Sequence, residues 1–175
     1  MDRLIIGVSA CLLGVKVRYN GEDRREPFMS ERLGEYAQLL PICPEVESGL
    51  SVPREPMILV GRPEGPRIVT RDSRVDYTDL ISAWVRGKVS ELKKKGIHGF
   101  VFKSGSPTCG LRQVPVVLEG GVVGEGMGLF AKALKEELPL LPCEEERDVQ
   151  SAHRLNNFIQ RAYAYAYKLK KSAIP

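Results

Sequence analysis

Three cysteines of this 175-residue chain stand in the same kind of place. Cys11 follows the apolar run of "LIIGVSACLLG", Cys43 that of "LLPICPEVESGL", and Cys109 lies in "KSGSPTCG", just past Gly99-Phe-Val-Phe. Each has a chain-breaking neighbour: Gly14 after Cys11, Pro44 after Cys43, Pro107 and Gly110 around Cys109. Tight turns leave thiols and backbone N–H groups free to face a common point, and such N–H groups stabilise thiolates. Three thiolates suit zinc or an iron–sulfur cluster, both soft-ligand centres. The competing reading is burial, because cysteine often packs as a small hydrophobe. No C-x-x-C pair occurs, so zinc-knuckle and ferredoxin signatures are absent. A closed structural site wants four protein ligands, whereas a reactive one keeps a position open. Cys143, in "LPLLPCEEERD", lies outside the pattern and reads as a bystander.

The elements that must position these thiols are legible in the hydrophobic pattern. Strands are expected at 4–9, 39–42, 57–60, 67–70 and 99–103, with a hairpin at 114–123 turning at Gly120-Gly121. Helices are expected at 30–39, with Ser30 as N-cap and Leu33, Tyr36, Ala37 and Leu40 on one stripe, and at 77–95. The latter carries Leu80, Ile81, Trp84, Val85, Val89 and Leu92 on one face and stops at Gly96. Two more are expected at 128–138 and 149–171. The alternation predicts a single α/β domain spanning 1–175: a mostly parallel sheet, helices on both faces, and a β-hairpin. Ligands of such sheets bind beyond the carboxyl ends of the strands. If 4–9, 39–42 and 99–103 are parallel neighbours, Cys11, Cys43 and Cys109 converge at one edge.

Composition is that of a globular domain, 43% hydrophobic and 27% charged. The net charge of +4 permits an anionic partner such as RNA without demanding one. No apolar run reaches the roughly 18–20 residues of a membrane span, and "MDRLIIGVSA" lacks a signal-peptide layout. The expectation is a cytoplasmic protein with reduced thiols, no membrane association and no obligate protein partner.

"SACLLG", "VRYNG", "CPEVESGLSVPRE", "KSGSPTCG" and "GEGMG" occur in this order, followed by "EEERDVQSAHRLNNFIQRAYAY". Over nearly the whole chain this set resembles the thiouracil desulfidase family. The resemblance implies an oxygen-sensitive [4Fe–4S] cluster on three cysteines, which fall on Cys11, Cys43 and Cys109, with one iron left open. It also implies removal of sulfur from thiolated uracil, as the free base or, in related proteins, within RNA. The family usually has Ser where this chain has Thr108, and Asp where it has Asn20.

Replacing C=S by C=O with water involves no net redox change but needs a base near the carbon. Glu45, two residues after Cys43, is the candidate; an N-cap or a salt bridge to an arginine is its competing role. Ser106 and Ser104 are candidates to hydrogen-bond the pyrimidine or a developing oxyanion, although both also suit turn formation. Ser9, Arg18, Asn20 and Arg54 are candidate substrate contacts. Against this, Asn20-Gly21 is an ordinary turn dipeptide, and Arg54 can pair with Glu55 or another acid. "GGVVGEGMG" lacks the Lys-Ser/Thr of a P-loop and reads as a hairpin leading into a helix. His98 and His153 lack metal-ligand spacing. A zinc-binding interaction module using all four cysteines, or an RNA-binding protein with structural cysteines, are the readings from other classes.

Overall fold

A computed structural model describes residues 3–121 and 123–172. Four parallel strands form the first sheet, in the order β2 (Ala37–Ile42), β1 (Leu4–Ser9), β5 (Gly99–Phe102), β8 (Cys143–Glu145). Side chains alternate across it. Leu4, Ile6 and Val8 enter a core with α1 (Pro27–Tyr36) and α5 (Ala152–Ser172). Phe100 and Phe102 enter the opposite core with α3 (Thr78–Lys95) and α4 (Leu129–Glu137). Helices therefore cover both faces. Gly7 lies beside Phe100 in the ladder, and a Cβ there would stand 2.3 Å from the ring. That vacancy lets Phe100 stack on Phe102 with centroids 4.1 Å apart. Phe130 of α4 meets both rings edge-on, at 5.4 and 6.0 Å, and fixes α4 to the sheet.

The remaining strands form a second, mixed sheet rather than extending the first: β4 (Arg67–Thr70), β3 (Met57–Val60), β6 (Val114–Val117), β7 (Val123–Gly126). Its β3–β6 pair is parallel and its two outer pairs are antiparallel. The sheet shares a core with α3 and α4.

The first helix starts earlier than the pattern predicts. Pro27 occupies its opening position, where a missing N–H costs nothing. Ser30 is thus inside the helix, its hydroxyl donating back to the Pro27 carbonyl (3.3 Å), and is not the cap. Ala37 and Leu40 belong to β2, not to the helix. The chain turns extended at Ala37 (φ −133°, ψ 152°) because β1 offers a ladder from Leu4↔Ala37 onward. Pro41 is tolerated because β2 is an edge strand. Leu80 is 45% exposed, and the buried stripe of α3 is Ile81, Val85, Val89 and Leu92. Gly96 closes that helix in the left-handed region (φ 67°), as expected. α5 begins at Ala152 instead of 149, after a 3₁₀ turn at 146–148. Strand β8 lies outside the expected strands.

Candidate functional site

β2, β1 and β5 are parallel neighbours, so the loops leaving them meet at one sheet edge. After β1, a single 3₁₀ turn (Ala10–Leu13) carries Cys11 and closes on Gly14 in the left-handed region (φ 86°). After β2, Cys43 precedes the one-turn helix α2 (Pro44–Glu47), and Glu47 Oε1 accepts the Cys43 N–H (2.9 Å). After β5, residues 103–110 fold around Ser106, whose Oγ accepts the N–H of Cys109 (3.0 Å) and Thr108 (3.3 Å).

The glycine-rich segment finds its use here. The opening N–H groups of α4, which lack helical partners, donate to this loop: Leu129 to the Pro107 carbonyl (3.2 Å), Phe130 to that of Thr108 (3.0 Å). Gly128 permits the approach, since a Cβ there would lie 2.6 Å from the Thr108 carbonyl.

The three loops enclose a cavity of about 500 Å³ lined by Cys11, Cys43 and Cys109. Ser9, Arg18, Glu45, Arg54, Ser104 and Ser106 line it as well. Asn20 does not: it is exposed, and its side chain closes a turn through the Glu22 N–H (3.2 Å) and carboxylate (2.7 Å). Arg54 is committed to an acid, Glu45, rather than left for a ligand. Its Nε and Nη2 donate to Glu45 Oε2 (2.8 Å for Nε), and both side chains are nearly buried, 9% and 12% exposed. Glu45 Oε1 accepts the Thr108 hydroxyl (3.1 Å). Ser9 is buried and accepts the Lys103 N–H (2.9 Å). Arg18 Nη1 is buried, stands 3.6 Å from a Glu22 oxygen, and makes no hydrogen bond.

Sequence reasoning missed Lys103 and Glu146. They pair in the cavity wall (2.5 Å), and Glu146 also holds the Ser104 N–H and hydroxyl, both at 2.7 Å. The Lys next to the motif serine was the one available signal for this pair; nothing local tied Glu146 to it. Thr108, noted only as a departure from the family pattern, is 1% exposed and joins Glu45 to Ser106.

Burial, then the neighbouring Cys43, pushes the Cys11 thiol up to about 11. Burial raises Cys43 too, opposed by backbone N–H groups of Val46 and Glu45 at the start of α2. Burial drives Cys109 furthest up. Thiols of this kind must shed protons when a cation takes their place. Among the described residues no three His, Cys, Asp or Glu side chains are gathered as a single metal ion needs. The three sulfurs instead border a space wide enough for a larger inorganic group, and a donor set of thiols alone suits iron–sulfur chemistry. Cys143 lies elsewhere. It opens β8 beside Phe100, near the start of β5, and burial pushes its thiol up to about 12.

Comparison with known proteins places the chain in a family. An uncharacterized protein of Bacillus subtilis (strain 168), YbbK, is 28% identical over 137 residues, covering 75% of this chain and 90% of that protein. The solved structure of TudS, a [4Fe-4S]-dependent thiouracil desulfidase, superposes with a TM-score of 0.69 at 29% identity. That match covers 91% of this chain and 99% of the other. The family model for 2-thiouracil desulfurase matches residues 6–146, from β1 to the Glu146 of the cavity wall, and the chain belongs to that family.

Proposed function

We propose that this protein replaces the sulfur of a thiolated pyrimidine by oxygen without net redox change, using a [4Fe–4S] cluster held by Cys11, Cys43 and Cys109. The observation that carries the reading is the meeting of three thiols and a paired carboxylate in one cavity at the carboxyl edge of a parallel sheet. Bound there, the cluster would supply a Lewis acid that polarises C=S.

The chain's own residues do the rest. The reaction consumes one water: its oxygen bonds to the ring carbon, the C–S bond breaks, and sulfur leaves as hydrogen sulfide. Glu45 accepts a proton from the attacking water and returns it to the departing sulfur, which also takes the water's second proton, so the carboxylate is regenerated. Arg54 occupies Oε2, so Oε1 is the oxygen available, oriented by Thr108. General-base help of this kind contributes about 10²–10⁴-fold. The Thr108 hydroxyl has one hydrogen, so while it donates to Glu45, Ser106 donates to Thr108. Ser106 thereby stands at the head of a short hydroxyl chain ending on the base. Ser104 is engaged with Glu146, and its part is to shape the wall. Arg18 presents a buried donor whose bond is unmade, and such a group gains about 1–3 kcal/mol on finding an acceptor. The remaining exocyclic carbonyl oxygen of the pyrimidine is that acceptor in this reading.

The test is anaerobic reconstitution followed by assay of sulfide release from 2-thiouracil, 4-thiouracil and a thiolated RNA. Iron, acid-labile sulfide and turnover are expected together. One colourless zinc per chain, or RNA binding that survives Cys→Ala at 11, 43 and 109 with no sulfide released, sinks the reading.

A further inference from the structure

Two consecutive carboxylates hold both ends of the loop that carries Ser106 and Cys109. At its start, Glu146 Oε2 accepts the Ser104 N–H (2.7 Å), while Oε1 takes the Ser104 hydroxyl (2.7 Å) and the Lys103 ammonium (2.5 Å). At its end, Glu145 Oε1 accepts the N–H groups of Leu111 (2.9 Å) and Arg112 (3.1 Å). Glu145 Oε2 pairs with Arg147 at 2.6 and 2.7 Å. Glu145 is 0% and Glu146 6% exposed. A carboxylate is buried at high cost unless its oxygens are matched by donors and a cation. Both are so matched here; beyond Arg147 and the Asp148 N–H on Glu145, the donors belong to one loop. The preceding residue differs: Glu144 pairs with side chains only, those of Arg161 and Arg112.

We infer that Glu145 and Glu146 are positioning residues. They preset Cys109 and Ser106 against Cys11 and Cys43 before any inorganic group is bound, so that the metal-free chain already presents the formed cup of thiols. Neither carboxylate touches the reacting atoms; both act through the backbone of residues 104–112. The inference rests on the functional reading only for why the cup is useful. Its geometry stands alone.

The experiment is alkylation of the metal-free full chain by iodoacetamide, with the rates at Cys109 and Cys143 resolved by peptide mass spectrometry. Cys143 is half-buried beside Phe100, away from the cup, and serves as the comparison thiol for opening elsewhere in the sheet. In Glu146→Gln and Glu146→Ala, Cys109 is expected to react about tenfold faster, Ala more than Gln, while Cys143 keeps its wild-type rate. Glu144→Gln is expected to leave the Cys109 rate unchanged. Glu145→Gln weakens a fully buried pair and is informative only if it folds; the Glu146 variants decide the matter. Rates that rise together at both cysteines, or at neither, overturn the clamp. Its failure is separate from that of the proposed function. A wild-type chain that takes up no iron leaves the clamp intact, and unchanged alkylation leaves the desulfidase reading intact.

Discussion

Thr108 donates its hydroxyl hydrogen to Glu45 Oε1 across 3.1 Å, joining the loop after β5 to the loop after β2. The two residues are 63 positions apart in sequence. Their contact is what makes Glu45 part of the same cavity as Ser106 and Cys109.

Thr108→Val keeps the shape and removes the donor. It is expected to lower kcat for sulfide release by about tenfold, the size of one lost hydrogen bond to a charged group, with KM little changed. Thr108→Ser restores the hydroxyl and is expected to stay within about threefold of wild type. Steady-state kinetics of the reconstituted protein with 2-thiouracil provide the check.

Arg54→Gln leaves the nearly buried Glu45 carboxylate without its partner. Removing one member of such a pair costs about 3–5 kcal/mol. For a domain of this size that is a fall in Tm of roughly 10 °C, readable by calorimetry of the metal-free chain. A Tm within 2 °C or so of wild type contradicts the pairing as described.

Gly128→Ala places a methyl 2.6 Å from the Thr108 carbonyl, against backbone on both sides. The start of α4 or the cysteine loop must move, at about 1–3 kcal/mol. The expected result is a lower urea midpoint together with reduced iron uptake. Gly87→Ala, inside α3 with open space around it, is the control and is expected to raise the urea midpoint slightly, by about 0.5–1 kcal/mol of stability, and to leave iron uptake unchanged.

Serine in place of Cys11, Cys43 or Cys109 is expected to abolish the broad visible absorbance of the reconstituted protein and to reduce bound iron to background. Cys143→Ser, at the far end of the sheet, is expected to retain both. Equal loss from all four variants argues for a four-cysteine centre.

All four thiols are raised above their ordinary 9.0 by burial, Cys11 to about 11 and Cys143 to about 12. Above pH 9 the unfolded chain has therefore lost thiol protons that the folded chain still holds. Folding stability then falls as pH rises. For Cys11 and Cys143 the contribution is complete below about pH 9 and is lost as pH climbs through about 11 to 12. Urea midpoints of the metal-free chain at pH 8 and pH 10 are expected to differ in that direction.

The short-range features were legible without coordinates. Apolar runs marked β1, β3, β4 and β5 within a residue; the 3.6-residue stripe and Gly96 marked α3; and the breakers beside each cysteine placed the thiols just past strand ends. These are properties of the local chain, where periodicity, turn chemistry and propensity act over a few neighbours. Where the first helix stops was not of that kind. Ala37 and Leu40 continue a helical stripe, and only the ladder offered by β1 makes them strand. β8 is likewise a strand because it pairs with the edge of β5, against the weak strand preference of its two glutamates. The commitment of Arg54 to Glu45, the exclusion of Asn20 from the cavity, and the capture of the Cys109 loop by Glu145 and Glu146 all join residues distant in sequence. The motif letters name the three thiols, Glu45 and Ser106; the packing of α4 and of the carboxylates at the end of β8 against one loop decides where they point. That division has one cause: hydrogen bonds and ion pairs across the fold are set by which surfaces meet, and a linear pattern does not contain that distance.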